Sequence, residues 1–231
     1  MILQKAISRS GYCSRRQADS LIRQGAVKVN GQRAIIGQEA DPDKDSIMIA
    51  GRKIEIPSQK IYIKLNKPSG YVCTNRKFKG EKNIFSLIKQ PERLFTIGRL
   101  DKNSRGLIFL TNDGDLTQKL SHPKFKHEKV YQVTVAGELK NPSDIINNFL
   151  KGFRLEGETK PAQAKAIRYL QNNTFIITLT QGRKRQIRLM FKKFGLNVTD
   201  LNRIKFAGIE LGTLKEGRWE YLSAAELVKF H

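Results

Sequence analysis

The chain has 231 residues, enough for two modest domains, and 39% of them are apolar, which suffices for a buried core. Forty-three Lys and Arg against 21 Asp and Glu give a net charge of +22, and the absence of any run of about 18 uncharged apolar residues excludes a membrane-spanning helix. Met1-Ile2-Leu3-Gln4-Lys5 lacks the apolar region of a secretory signal, so a soluble cytoplasmic protein is expected.

Ser14 can cap a helix running from Arg15 to about Gln24, because its side chain satisfies an amide that the first turn leaves unpaired, and Gly25 supplies the stop. Ala18, Leu21 and Ile22 form the inward side of that helix and leave Arg15, Arg16 and Arg23 for solvent or phosphate. The short strand Ala26-Val27-Lys28-Val29 follows, and Asn30-Gly31 is the strongest hairpin signal in the chain. Apolar alternation at Ile47 and Ile49, then at Ile54 and Ile56, predicts further strands broken at Gly51. Pro57-Ser58-Gln59-Lys60 is the expected linker, dividing the chain into domains of residues 1–56 and 61–231. Beyond it strand patterns dominate, at Ile61 to Leu65, Gly106 to Leu110, Val130 to Ala136 and Thr174 to Thr180. Ile176, Ile177 and Leu179 make the last of these nearly continuous, as in a central strand. A helix from about Arg185 to Phe194 sets Ile187, Met190, Phe191 and Phe194 on one stripe, with Arg188, Lys192 and Lys193 opposite. Ser223 and Glu226 form the capping box of a last helix. The sum is an α+β chain with a largely antiparallel sheet.

The charge is spread through the chain: residues 1–56 carry ten basic against six acidic side chains, and residues 57–231 carry 33 against 15. A field of this size attracts polyanions, and nucleic acid is the commonest such partner. Cys13 and Cys73 lie 60 positions apart, and three histidines without ligand spacing give no metal site, so no metal and reduced thiols are expected. Two adjacent arginines on a short helix are, taken alone, more often a solvated face than an RNA site. A single Asp101 between basic residues is, taken alone, a turn residue paired with surface charge.

The run Ser14-Arg15-Arg16 through Arg23-Gln24-Gly25 to Val29-Asn30-Gly31 resembles the S4 RNA-binding domain, the alpha-L motif, over about the first 50 residues. The resemblance implies binding of structured RNA, with Arg9, Arg15, Arg16, Arg23 and Lys28 as the contacts. Gly98-Arg99-Leu100-Asp101-Lys102-Asn103-Ser104-Arg105-Gly106-Leu107 resembles the nucleophile motif of pseudouridine synthases. Asn66-Lys67-Pro68-Ser69-Gly70 upstream, Lys129-Val130-Tyr131, and Gly182-Arg183-Lys184-Arg185-Gln186-Ile187-Arg188 extend the likeness over nearly the whole chain. Their order fits the subgroup that joins an S4 domain to a synthase domain with a mainly antiparallel mixed sheet. His127-Glu128-Lys129 and Gln181-Gly182 are similar to its large-subunit members, whereas Leu189 departs from the basic residue expected after Arg188.

The resemblance implies isomerisation of uridine to pseudouridine with no cofactor, because the uracil leaves and rejoins the same ribose. It assigns the nucleophile to Asp101, base stacking and proton removal to Tyr131, and the cation that keeps Asp101 ionised to Arg188, within salt-bridge reach. Arg99 would fill the space left by the flipped base, Leu201 would close the pocket, and Arg185 and Lys67 would hold substrate. Tyr131 and Leu201 read equally as strand core by pattern alone. The run Arg76-Lys77-Phe78-Lys79-Gly80-Glu81-Lys82 is expected as an RNA-gripping or solvated loop. The implied partner is 23S ribosomal RNA, with tRNA as a second target and 16S RNA as the alternative, and a monomer is expected. A non-catalytic S4-type RNA-binding or ribosome-assembly protein is the competing reading. An S4-bearing methyltransferase would need a Gly-x-Gly-x-x-Gly loop, and none occurs.

Overall fold

The computed structural model describes residues 1–76 and 78–230, so Lys77, in the basic run that starts at Arg76, lies outside the described residues. The chain divides into two compact units. One takes in Met1–Tyr62 with Gln90–Phe95 and Thr111–Gly114; the other takes in Ile63–Lys89, Thr96–Leu110 and Asp115–His231.

In the first unit, helices α1 (Leu3–Arg9) and α2 (Arg15–Arg23) accompany strands β1 (Val27–Val29), β2 (Gln32–Arg33), β3 (Ile47–Ile49) and β4 (Arg52–Lys53). The strands pair in the order β2-β1-β3-β4. Ser14 caps α2 as expected, and Gln17 completes a capping box by accepting from the Ser14 amide at 3.0 Å. Asn30 and Gly31 turn β1 into β2 with φ of +50° and +82°, the pair of positive values that a two-residue hairpin turn needs. Leu3, Ile7, Ala18, Ile22, Val27, Ile47 and Ile49 close one apolar core. Two expectations change here. Helix α1 is an addition without a capping signal: its N-cap Ile2 makes no side-chain cap bond, and the helix is held by burial of Leu3, Ala6 and Ile7. After Gly51 only Arg52–Lys53 pairs as a strand, and Ile54 and Ile56 follow it half-buried.

The remaining strands are β5 (Tyr62–Lys67), β6 (Tyr71–Val72), β7 (Lys82–Asn83), β8 (Phe95–Ile97), β9 (Arg105–Thr111), β10 (Lys129–Ala136), β11 (Ala166–Tyr169), β12 (Thr174–Leu179), β13 (Asn197–Phe206), β14 (Ile209–Glu210) and β15 (Trp219–Tyr221). The helices are α3 (Gly114–Ser121), α4 (Pro142–Lys151), α5 (Gln186–Lys192) and α6 (Ala224–Val228). Among the described residues nine strands form one sheet, ordered β11-β12-β10-β13-β9-β5-β15, with β14 on β13 and β8 on β9. β10 runs antiparallel to β12 and β13, while β13 and β9 are parallel, so the sheet is mixed and mainly antiparallel.

Strand β12 is second from the edge, not central, and buries only alternate residues, Phe175, Ile177 and Leu179. The central place belongs to β13, whose polar string Asn197-Val198-Thr199-Asp200 hides it from hydrophobic patterning. Helix α5 begins one residue later than expected and ends at Lys192; Phe194 lies past its end yet packs with Phe149 at 5.9 Å. The basic run from Arg76 ends in a strand rather than a loop, because Lys82–Asn83 pairs in parallel with Tyr71–Val72.

Candidate active site

Inside the second unit, a cleft of about 570 Å³ opens where β9, β10 and β13 meet the loop that precedes β9. Arg99, Asp101, Tyr131, Arg185 and Leu201 all line it, so five of the residues named from sequence converge. Arg15, Arg16, Arg23 and Lys28 are exposed on the first unit, and Arg9 is half-exposed there.

Asp101 sits in a tight turn closed by the Ser104 amide donating to its carbonyl at 3.0 Å. That turn is fastened from below. Lys67 at the end of β5 is fully buried, and its ammonium donates to the carbonyls of Pro68 (2.9 Å), Lys102 (3.1 Å) and Ser104 (2.6 Å). The Gly70 amide adds a bond to the Lys102 carbonyl at 2.8 Å. Burial pushes the Lys67 pKa down to about 8 against the favourable charges of Cys73, Asp101 and Glu216. Lys67, expected to hold substrate, does not line the cleft, and its ammonium is spent on the Pro68 carbonyl and on those of the Asp101 turn.

Arg188 also differs from expectation. No ion pair joins it to Asp101 among the described residues, and it does not line the cleft. Its guanidinium instead bridges the carbonyls of Val198 (2.8 Å) and Asn103 (2.7 Å), tying β13 to the Asp101 turn. A planar fork that reaches two acceptors on different segments is geometry that Arg supplies and Lys does not. Burial, then the neighbouring Arg185, lower its pKa, and the charge of Asp101 opposes them. Leu189, which stands where a basic residue was expected, is 39% exposed.

Two cleft-lining residues, Arg203 and Phe206, have no counterpart among the residues named from sequence. Arg203 on β13 is 1% exposed, donates from Nε to the Leu107 carbonyl at 2.7 Å and lies 4.8 Å from the Phe206 ring centre. Lys129 sits 5.4 Å from the same ring, and burial together with Arg203 takes its pKa down to about 8. Arg105, the first residue of β9, holds Asp200 through two bonds of 2.8 Å. Lys129 stands in the quoted motif, but no periodicity assigns a half-buried place to a cation at a strand start. Gly106 explains how β9 comes so close to β13: a Cβ there would lie 2.4 Å from the Arg203 carbonyl, at a φ of +104°. Opposite, the register of β10 on β13 shifts between Val130 and Tyr131, and such bulges re-aim the side chain that follows.

The cleft therefore offers one carboxylate on a rigid turn, a Tyr with 9% exposure, an apolar wall at Leu201 and a rim of arginines. Among the described residues no cluster of three His, Cys, Asp or Glu forms a metal-binding group.

Residues 61–193 match the RNA pseudouridylate synthase family, and residues 3–39 match the S4 domain. The chain belongs to the RNA pseudouridylate synthase family. As a member of it, the chain is 40% identical over 231 residues to the dual-specificity RNA pseudouridine synthase RluF of Escherichia coli K12, covering 98% of itself and 77% of that protein. It is 36% identical to the ribosomal large subunit pseudouridine synthase B of Bacillus subtilis, covering 97% of itself and 93% of the relative. A pseudouridylate synthase of known structure aligns over 100% of both chains with a TM-score of 0.74 and 30% identity. The S4 domain followed by a mixed, mainly antiparallel synthase domain is the arrangement that the sequence implied.

Proposed function

We propose that this synthase converts uridine to pseudouridine in ribosomal RNA, with 23S RNA as the favoured substrate and a tRNA as a second one. The named relatives support the choice of RNA, and the convergence of Asp101, Tyr131, Arg99 and Leu201 on one cleft carries the chemistry. The Asp101 carboxylate acts as nucleophile, bonding to the nucleotide and being released before the product leaves. The N1–C1′ bond breaks, the uracil turns, C5 bonds to C1′, C5 gives up its proton and N1 takes one up, so no atom is gained or lost overall. Tyr131 lies against the extruded base and assists that proton's removal. Arg99, exposed at the cleft edge, takes the place the base vacates in the RNA, which offsets the few kcal/mol of unstacking. Arg185 contacts substrate, while Lys67 and Arg188 act by holding the turn that presents Asp101. Residues 1–56 supply RNA affinity through Arg9, Arg15, Arg16, Arg23 and Lys28, joined to the catalytic part by residues 57–60. The protein works as a monomer in the cytoplasm, without a cofactor.

Tritium release from carbon-5-labelled uridine in a ribosomal RNA transcript, with nothing added but buffer, tests this reading. Asp101→Asn should abolish release while filter binding of the same transcript stays within a few-fold. Substantial turnover by Asp101→Asn would remove the carboxylate from its role.

A further inference from the structure

The rim of the cleft between α3 and β10 is the segment Ser121-His122-Pro123-Lys124-Phe125-Lys126-His127. Pro123–Phe125 form one tight helical turn. Its shape is fixed by short-range bonds: His122 Nδ1 accepts from the Lys124 amide at 3.2 Å, and the Phe125 and Lys126 amides donate to the carbonyls of His122 and Pro123, each at 3.2 Å. Lys126 leaves the turn at a φ of +49°. The result is to push Phe125 outward, with 43% of it exposed, although phenylalanine is ordinarily among the most buried residues.

The surroundings of that ring are aromatic and cationic. The His122 ring stands edge-on at 6.3 Å and the His127 ring lies tilted at 6.1 Å. Lys124 Nζ is 4.7 Å from the ring centre, and Lys119 at the end of α3 and Lys126 add further charge. His122, Pro123, Lys126 and His127 also line the cleft that holds Asp101, so this surface is continuous with the site. An exposed ring among lysines suits a partner that offers both a flat π face and negative charge. Unpaired RNA offers both, since every base can stack and every linkage carries a phosphate. An apolar protein patch would gain nothing from the lysines.

We propose that Phe125 is the stacking platform for an unpaired RNA base beside the target uridine, with Lys124 and Lys126 taking the adjoining phosphates. Extruding a uridine strips its neighbour of a stacking partner, and the rigid ring at the cleft mouth replaces it. Phe125 selects a single-stranded neighbour and not a particular base, because stacking tolerates any of the four. This inference rests on the reading of the cleft as an RNA-modifying site.

The test uses the full chain and the transcript in which tritium release is measured. Phe125→Leu keeps an apolar side chain but loses the flat face; KM for RNA should rise about tenfold or more, with kcat within about twofold. Phe125→Trp should restore KM to within about threefold, and the thermal midpoints of both variants should match the parent. Separately, 5-iodouridine placed at each position flanking the target and irradiated with the wild-type chain should cross-link to Phe125 at one of them. An unchanged KM for Phe125→Leu, or cross-links confined to other residues, overturns the platform while wild-type tritium release leaves the catalytic reading standing. No tritium release by the wild type from any RNA removes both.

Discussion

Replacing Arg188 with Met would delete the two hydrogen bonds that tie the Val198 carbonyl to the Asn103 carbonyl, two residues from Asp101. A hydrogen bond from a charged donor contributes about 1.5–3 kcal/mol net, but this guanidinium is partly open to water. A loss of about 1–3 kcal/mol in folding stability is therefore expected, with most of the fold intact. With Asp101 as the proposed nucleophile, the larger effect falls on catalysis, because a reacting group displaced by about 1 Å can lose about 100-fold in rate. Arg188→Lys separates tether from charge: a single ammonium keeps the charge yet cannot span both carbonyls, so its single-turnover rate should lie between the wild type and Arg188→Met. Rates of tritium release would be measured at saturating RNA across the acid limb of the pH profile, beside urea denaturation of each variant. A tether predicts lowered rates with the acid limb unmoved. If Arg188→Lys matches the wild type while Arg188→Met shifts the limb to higher pH, Arg188 acts through its charge on Asp101 and the tether argument fails.

Three further outcomes follow from the geometry. Changing Arg15, Arg16 and Arg23 together to Gln should reduce the log–log salt slope of RNA binding by about 0.7–0.9 for each phosphate that the protein no longer neutralises; an unchanged slope would mean that α2 faces solvent in the complex. Gly106→Ala should cost about 3 kcal/mol or more in urea denaturation, since the new Cβ meets backbone at 2.4 Å, and a mild effect would show that β9 can move away from β13. The folded pKa of Lys129, about 8, lies below the ordinary lysine value of 10.5, so the folded state gives up this proton first. Its unfavourable contribution is complete below about pH 8 and is relieved as pH rises toward 10.5. The stability advantage of Lys129→Met over the parent should therefore shrink across that window, and parallel stability curves would contradict the burial of the ammonium.

What could be read from the sequence was whatever is written locally. Ser14 before a helix, Asn30-Gly31 at a turn and Ser223 with Glu226 each act within four residues, and each forms in the structure. The motif around Asp101 was legible as a string, and its cleft partners Tyr131 and Leu201 were named by the same resemblance. The unread parts depend on distant contacts. Strand β13 looks polar because side chains at its start bond to distant segments: Asp200 holds Arg105, and the Thr199 hydroxyl donates to the Thr134 carbonyl. Helix α4, by contrast, carries local signals of its own: Asn141 caps it by accepting from the Ser143 amide, Pro142 starts it, and Ile145 and Phe149 sit four apart on its buried side. The pairing of Arg188 with carbonyls instead of Asp101 has no sequence signature, because every residue presents a carbonyl.

Residues 102–104 are gripped by Lys67 and Arg188 through main-chain oxygen alone. Main-chain oxygen is the same whatever the side chain, and Lys102 and Asn103 are exposed. Exchange at those two positions gives up the Lys102–Glu81 ion pair of 2.8 Å but leaves the main-chain grip beside Asp101 in place, whereas exchange of either gripping cation, 121 positions apart, removes it. The turn behaves as an interchangeable tip on a fixed clamp: residues 102 and 103 can be fitted to a different surface while Asp101 stays where it is.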